Sequence, residues 1–139
     1  MGEGGMTLEE EVKRARRVYI IGNGGSFSNA QHLANDLEGA GVRAHTLNPA
    51  SLTATANDHG YEYVFSRWVL LHGEPGDLLI ALSGSGKSKN IVNAVKAAKL
   101  IGMRVYTIFG ATEGLDMQAS EEKQLAIGHR VMKWLRGLS

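Results

Sequence analysis

Two short loops carry residue types suited to holding an anion. The first, Gly22-Asn23-Gly24-Gly25-Ser26, follows the apolar run Val18-Tyr19-Ile20-Ile21 and precedes a helical period through Ala30, Leu33, Ala34 and Leu37. The second, Ser83-Gly84-Ser85-Gly86-Lys87-Ser88, follows Leu78–Leu82 and precedes a period through Ile91, Val92, Val95, Ala98 and Leu100. Where a strand feeds a helix through such a loop, backbone N–H groups approach an anion closely and the helix N-terminus adds partial positive charge. Ser26 and Ser28 add hydroxyls to the first loop, and Ser83, Ser85 and Ser88 add three to the second. Two such loops point to one phosphorylated ligand. The alternatives without a ligand are a tight strand-to-helix turn and a serine N-cap. One side-chain pair could also do chemistry. His32 and Asp36 stand at i and i+4, on one face of the helix after the first loop. A carboxylate there can act as a base on a C–H beside a carbonyl, and an imidazole can carry the oxygen-bound proton. A solvent-facing pair would have the same spacing.

Neither loop is a nucleotide fingerprint. Phe27 stands where the third glycine of the dinucleotide motif belongs, and the nearest acids downstream, Asp36 and Glu38, read as helical. Gly86-Lys87-Ser88 resembles the end of a Walker loop, but Ala81 occupies the position that needs glycine. No nucleotide cofactor is expected.

The elements that must position these residues alternate. Residues 1–6 are glycine-rich and read as a frayed, disordered start. Thr7-Leu8-Glu9-Glu10 matches a capping box and opens a charged helix to about Arg16. A strand spans Val18–Ile21, and its helix stops at Gly39-Ala40-Gly41. Val42–Leu47 reads as a second strand, Ser51–Ala56 as a helical turn and Asn57–Gly60 as a loop. Tyr61–His72 has a helical period. Strands follow at Leu78–Leu82 and Arg104–Phe109, and an amphipathic helix runs from Ser120 onwards. This order predicts a parallel sheet covered on both faces, with ligands beyond the carboxyl ends of its strands.

Composition narrows the classes. The chain has 139 residues, enough for one domain, with 43% hydrophobic and 21% charged residues. A net charge of +1 argues for neither nucleic acid nor an acidic membrane as partner. There is no cysteine, so disulfides and thiolate metal sites are excluded. No apolar run reaches the length of a membrane span, and the expected location is cytoplasmic.

An ordered set of motifs identifies a resemblance. Ile21–Ser26 followed by Ala30-Gln31-His32, then Ala56-Asn57-Asp58 with Phe65-Ser66-Arg67, then Gly76–Leu79 and Ser83-x-Ser85-Gly86-x-Ser88-x-Asn90, resemble the sugar isomerase (SIS) family, and within it the bacterial phosphoheptose isomerases. The resemblance runs from about Val18 to Gly110. It implies a single α/β domain over residues 1–139, a three-layer α/β/α sandwich with a mainly parallel sheet of four to five strands. It implies a phosphorylated sugar held at its phosphate by Ser83, Ser85 and Ser88 and at its hydroxyls by Asn23, Gly24, Ser26 and Asp58. The implied reaction interconverts an aldose phosphate and a ketose phosphate, sedoheptulose 7-phosphate and a heptose 7-phosphate, through an enediol. Asp36 and His129 are then the acid–base pair, and His32, Asp36, Glu121 and His129 the set around a zinc ion (Zn2+). A homo-oligomer is implied, with a tetramer favoured. The chain departs from the family at Asp36, normally glutamate, at Ala40, normally basic, and at Gln118 and Glu121, normally aspartate and glutamine. It also lacks the strand that normally precedes the last helix. The alternative is a non-catalytic SIS module, a phosphosugar sensor or an interaction protein.

Overall fold

A computed structural model describes residues 5–137. Residues 1–4 of the expected frayed start lie outside the described residues. At Met6 the sulfur lies 3.0 Å from Arg14 Nη1 and 3.4 Å from Arg104 Nη2.

Helix α1 (Leu8–Arg14) begins where Thr7 accepts a hydrogen bond from the Glu10 amide and the Glu10 carboxylate accepts from the Thr7 amide, both at 3.2 Å. Strand β1 (Val18–Ile21) leads into α2 (Gly25–Gly39), then β2 (Ala44–Thr46) and α3 (Pro49–His59). A 3-10 turn over Tyr61–Tyr63 precedes α4 (Val64–His72). Then come β3 (Leu78–Ser83), α5 (Lys89–Leu100), β4 (Arg104–Phe109) and, after a 3-10 turn over Gly110–Glu113, α6 (Met117–Gly137). Among the described residues no helix is long and apolar enough to cross a membrane.

The sheet is parallel throughout, in the order β2-β1-β3-β4. Its two central strands, Val18–Ile21 and Leu78–Ser83, are buried at every position. That is the signature of a sheet covered on both faces. Alternation along the strands sends Val18, Ile20, Leu78, Ile80 and Leu82 into a core shared with α1, α2 and α6. Tyr19, Ile21, Leu79 and Ala81 enter a second core against α4 and α5.

Several boundaries differ from the sequence reading: α1 ends at Arg14, and the helix expected from Tyr61 opens with a 3-10 turn before α4. The second strand is shorter, Ala44–Thr46. Helix α3 starts earlier and ends later than the expected turn. Asn48 Oδ1 accepts from the Ser51 amide at 2.9 Å, Pro49 occupies the first turn, and the helix ends at Gly60, whose φ is +105°. Asn57, Asp58 and His59 are therefore helical. Finally, α6 starts at Met117, because Asp116 Oδ1 accepts from the Ala119 amide at 2.8 Å and caps that turn.

Buried acids lie away from the Gly/Ser loops, near the amino ends of β3 and β4. Glu11 Oε1 accepts from Arg104 Nε at 2.6 Å. Asp77, fully buried, accepts from the Glu74 amide at 2.9 Å and faces Arg16 Nε at 3.1 Å. A buried carboxylate without such partners would carry a desolvation penalty of several kcal/mol.

Candidate active site

Both Gly/Ser loops leave the carboxyl ends of the two central strands. Their side chains are arranged differently. In the β1–α2 loop, the amides of Asn23 and Asn90 exchange hydrogen bonds, each 2.9 Å long, and Tyr61 donates to Asn23 Oδ1 at 2.7 Å. Gly22 has to be glycine, since a Cβ there would lie 2.6 Å from the Ser26 carbonyl. Ser26 turns inward and is 2% exposed, its Oγ accepting from Gln124 Nε2 at 3.0 Å. The Glu121 carboxylate of α6 lies over Gly25, where a Cβ would fall 2.1 Å from Oε2. The positive end of α2 thus already faces an internal anion. The first loop makes internal contacts through Asn23, Gly25 and Ser26.

The β3–α5 loop is buried at Ser83 and Gly84 and accessible from Ser85 to Ser88. Ser83 Oγ accepts from the Gly86 amide at 2.9 Å and Ser85 Oγ from the Lys87 amide at 3.1 Å, which shapes the loop and leaves both O–H groups to donate. Ser88 stands at the N-cap of α5 without a side-chain capping bond. A cleft of about 460 Å³ opens there, lined by Asn23, Tyr61, Glu62, Ser88, Lys89 and Asn90. Serine hydroxyls, a helix N-terminus and Lys89 make it suited to an anionic group.

A second group forms between α2 and α6. His32 Nε2 lies 3.2 Å from Asp36 Oδ2 and 3.4 Å from His129 Nε2, and the two imidazoles meet edge-to-face with centroids 5.5 Å apart. Each residue offers one ligand atom, all within 4.8 Å of one another. Two imidazole nitrogens and a carboxylate oxygen converging in this way fit a zinc ion with an open position. Both histidines are exposed and Asp36 is half-buried. His32 is six residues into α2 from Ser26, about 9 Å along the helix axis.

The sequence-predicted residues therefore fall into three sets. Ser83, Ser85 and Ser88 lie on the second loop, Ser83 buried within it, and Ser88 and Asn23 line the cleft. His32, Asp36 and His129 form the group between α2 and α6. Glu121 and Ser26 point into the α2–α6 junction, and Glu121 is outside the His–Asp–His group. Asp58 is exposed on the last turn of α3, accepts from Asn57 Nδ2 at 3.1 Å, and does not line the cleft. Gly24, exposed with φ +56°, allows the turn into α2. The sequence reading missed Tyr61, Asn90 and Gln124 as site-building residues. Gln124 had a signal, since it interrupts the apolar face of a helix as a polar residue at a core position.

The SIS domain profile matches residues 4–110. A phosphoheptose isomerase of Rhodospirillum rubrum is 40% identical over 122 residues, covering 82% of this chain and 65% of that protein. A phosphoheptose isomerase of Campylobacter concisus is 41% identical over 116 residues, covering 77% of this chain and 61% of its own length. The chain thus spans a little under two thirds of the curated relatives it matches. The solved phosphoheptose isomerase of Neisseria gonorrhoeae superposes with a TM-score of 0.83 at 28% identity, covering 93% of this chain and 80% of that one.

Proposed function

The chain belongs to the SIS domain family, and from that premise we propose that it is an aldose–ketose isomerase of sugar phosphates, interconverting sedoheptulose 7-phosphate and a heptose 7-phosphate. The convergence of His32, Asp36 and His129 from two helices distant in sequence carries this reading. Similarity to proteins named phosphoheptose isomerase supports the choice of sugar.

The sugar phosphate accepts hydrogen bonds from Ser83, Ser85, Ser88 and the first amides of α5, with Lys89 adding charge. Asp36 takes the proton from the carbon beside the carbonyl, and the electron pair moves onto the carbonyl oxygen to give an enediol. The same carboxylate returns the proton to the neighbouring carbon. His129 carries the proton that moves between the two oxygens. His32, Asp36 and His129 would hold a zinc ion, which would polarise the substrate carbonyl. The working form is a homo-oligomer, with a tetramer favoured. The exposure of His32 and His129 on the outer side of α2 and α6 supports it, since a neighbouring copy could close that side over a sugar.

The test is proton exchange at C2 of a panel of sugar phosphates in heavy water, followed by NMR. The parent should exchange the proton of a heptose phosphate. Asp36→Asn should slow exchange by about 100-fold or more, the scale of a general base, while phosphate-dependent binding stays nearly unchanged. Binding without exchange for every sugar would make the chain a phosphosugar-binding module.

A further inference from the structure

The contact between α2 and α6 is polar at its centre. Gln124 is 3% exposed. Its Nε2 donates to Ser26 Oγ at 3.0 Å, and its Oε1 accepts from Asn29 Nδ2 at 3.0 Å. The same Asn29 amide donates to the Glu121 carbonyl at 2.9 Å. One turn further along α6, Gly128 admits Leu33, whose Cδ1 would lie 3.2 Å from a Cβ at that position. The next residue is His129, whose ring meets His32.

Apolar burial alone does not fix how far one helix slides along another, because it is non-directional. Hydrogen bonds do. A shift of α6 by one residue, about 1.5 Å, would break both Gln124 contacts and leave buried donors and acceptors unpaired. Filling the seam with an apolar side chain would have avoided that liability. Its presence five residues before His129, bonded to residues three and six before His32, ties it to the spacing of that pair.

We propose that Gln124, held by Ser26 and Asn29, is a positioning residue that sets the register of α6 on α2 and so keeps His129 within reach of His32 and Asp36. The proposal rests on the reading of those three residues as the metal-binding and proton-transferring group.

The experiment compares the full-length parent with Gln124→Leu and Gln124→Glu. Three quantities are measured: zinc affinity by competition with a chromophoric chelator, ring-to-ring NOEs between His32 and His129 in metal-free protein, and kcat and KM for C2 proton exchange. Gln124→Leu should weaken zinc binding by about 10–100-fold, the range for residues that support metal ligands. It should lose the NOE and lower kcat with little change in KM. Gln124→Glu should recover all three, because its carboxylate can accept from both the Asn29 amide and the Ser26 hydroxyl. If Gln124→Leu does not fold, Gln124→Met keeps the side-chain length without the amide and is measured instead. A variant that loses thermal stability but keeps zinc affinity and the NOE overturns the proposal. Failure of the isomerase reading is distinguishable, because it appears in the parent as absent proton exchange, and the NOE in metal-free protein still decides the register.

Discussion

The β1–α2 and β3–α5 loops begin from the same local pattern, a buried strand, a glycine–serine run and a helix, and end with opposite uses of their hydroxyls. Ser26 is buried and bonded to Gln124, Asn23 is locked to Asn90 and Tyr61, and Glu121 covers Gly25. Ser85 and Ser88 reach the surface with their O–H groups uncommitted, and their loop borders a cleft. The difference comes from what lands on each loop. Helix α6 crosses the start of α2 and fills the first loop with its own polar side chains. At the second loop α6 brings Met117 and Ser120 against Gly84, Ser83 is buried, and Ser85 and Ser88 stay accessible. A loop motif therefore sets what a backbone can hold, and its tertiary neighbours decide whether a ligand or the protein itself is held.

Substitutions can break this contrast, and their expected effects fall in a definite order. Gly22→Ala should be the most damaging, because its Cβ would meet backbone atoms of Ser26 that cannot move aside. Overpacking of this kind costs about 1–3 kcal/mol or more, read as a lower midpoint in urea unfolding. Ser26→Ala should come next. It leaves the buried Gln124 amide without its acceptor, a loss of about 1–3 kcal/mol in stability, with little change in sugar-phosphate affinity. Ser85→Ala and Ser88→Ala should do the reverse. Each should weaken sugar-phosphate binding by about 1–2 kcal/mol in calorimetric titration while stability stays within about 0.5 kcal/mol of the parent. If Ser26→Ala weakened binding as much as Ser88→Ala, the two loops would share the phosphate and the contrast would fail. The smallest effect belongs to Glu121→Gln. Removing its charge from the start of α2 should cost about 0.3–1 kcal/mol of stability and shrink with added salt.

Much of this was legible in the chain itself. The fully apolar runs at Val18–Ile21 and Leu78–Leu82 announced central parallel strands, and the strand–loop–helix repeats placed both Gly/Ser loops at the carboxyl end of the sheet. The i, i+4 spacing of His32 and Asp36 placed them together correctly. What stayed hidden depends on contacts far apart in sequence. Nothing local distinguishes Ser26 from Ser88, because the difference lies in α6 packing. Asp58 read as a loop residue because Asn57-Asp58-His59-Gly60 is turn-like, yet α3 propagates from its Asn48 cap through these residues until Gly60 ends it. His129 carried no signal of its own on an amphipathic helix and was indicated by the family resemblance alone; the packing of α6 on α2 is what brings it to His32.

The strand order has a consequence for how the chain reaches this state. The central ladder joins β1 to β3, so Val18 pairs with Leu78, and the neighbouring Arg16–Asp77 contact closes a separation of 61 residues. Loop closure of that length must precede most of the stabilising burial, which slows folding relative to a chain of local contacts. As the chain emerges from a ribosome, β1 and α2 have no central partner until β3 follows. The early segment would then present the apolar residues Tyr19, Ile20 and Ile21 to solvent, and protection from aggregation in that interval would depend on how soon residue 83 is made.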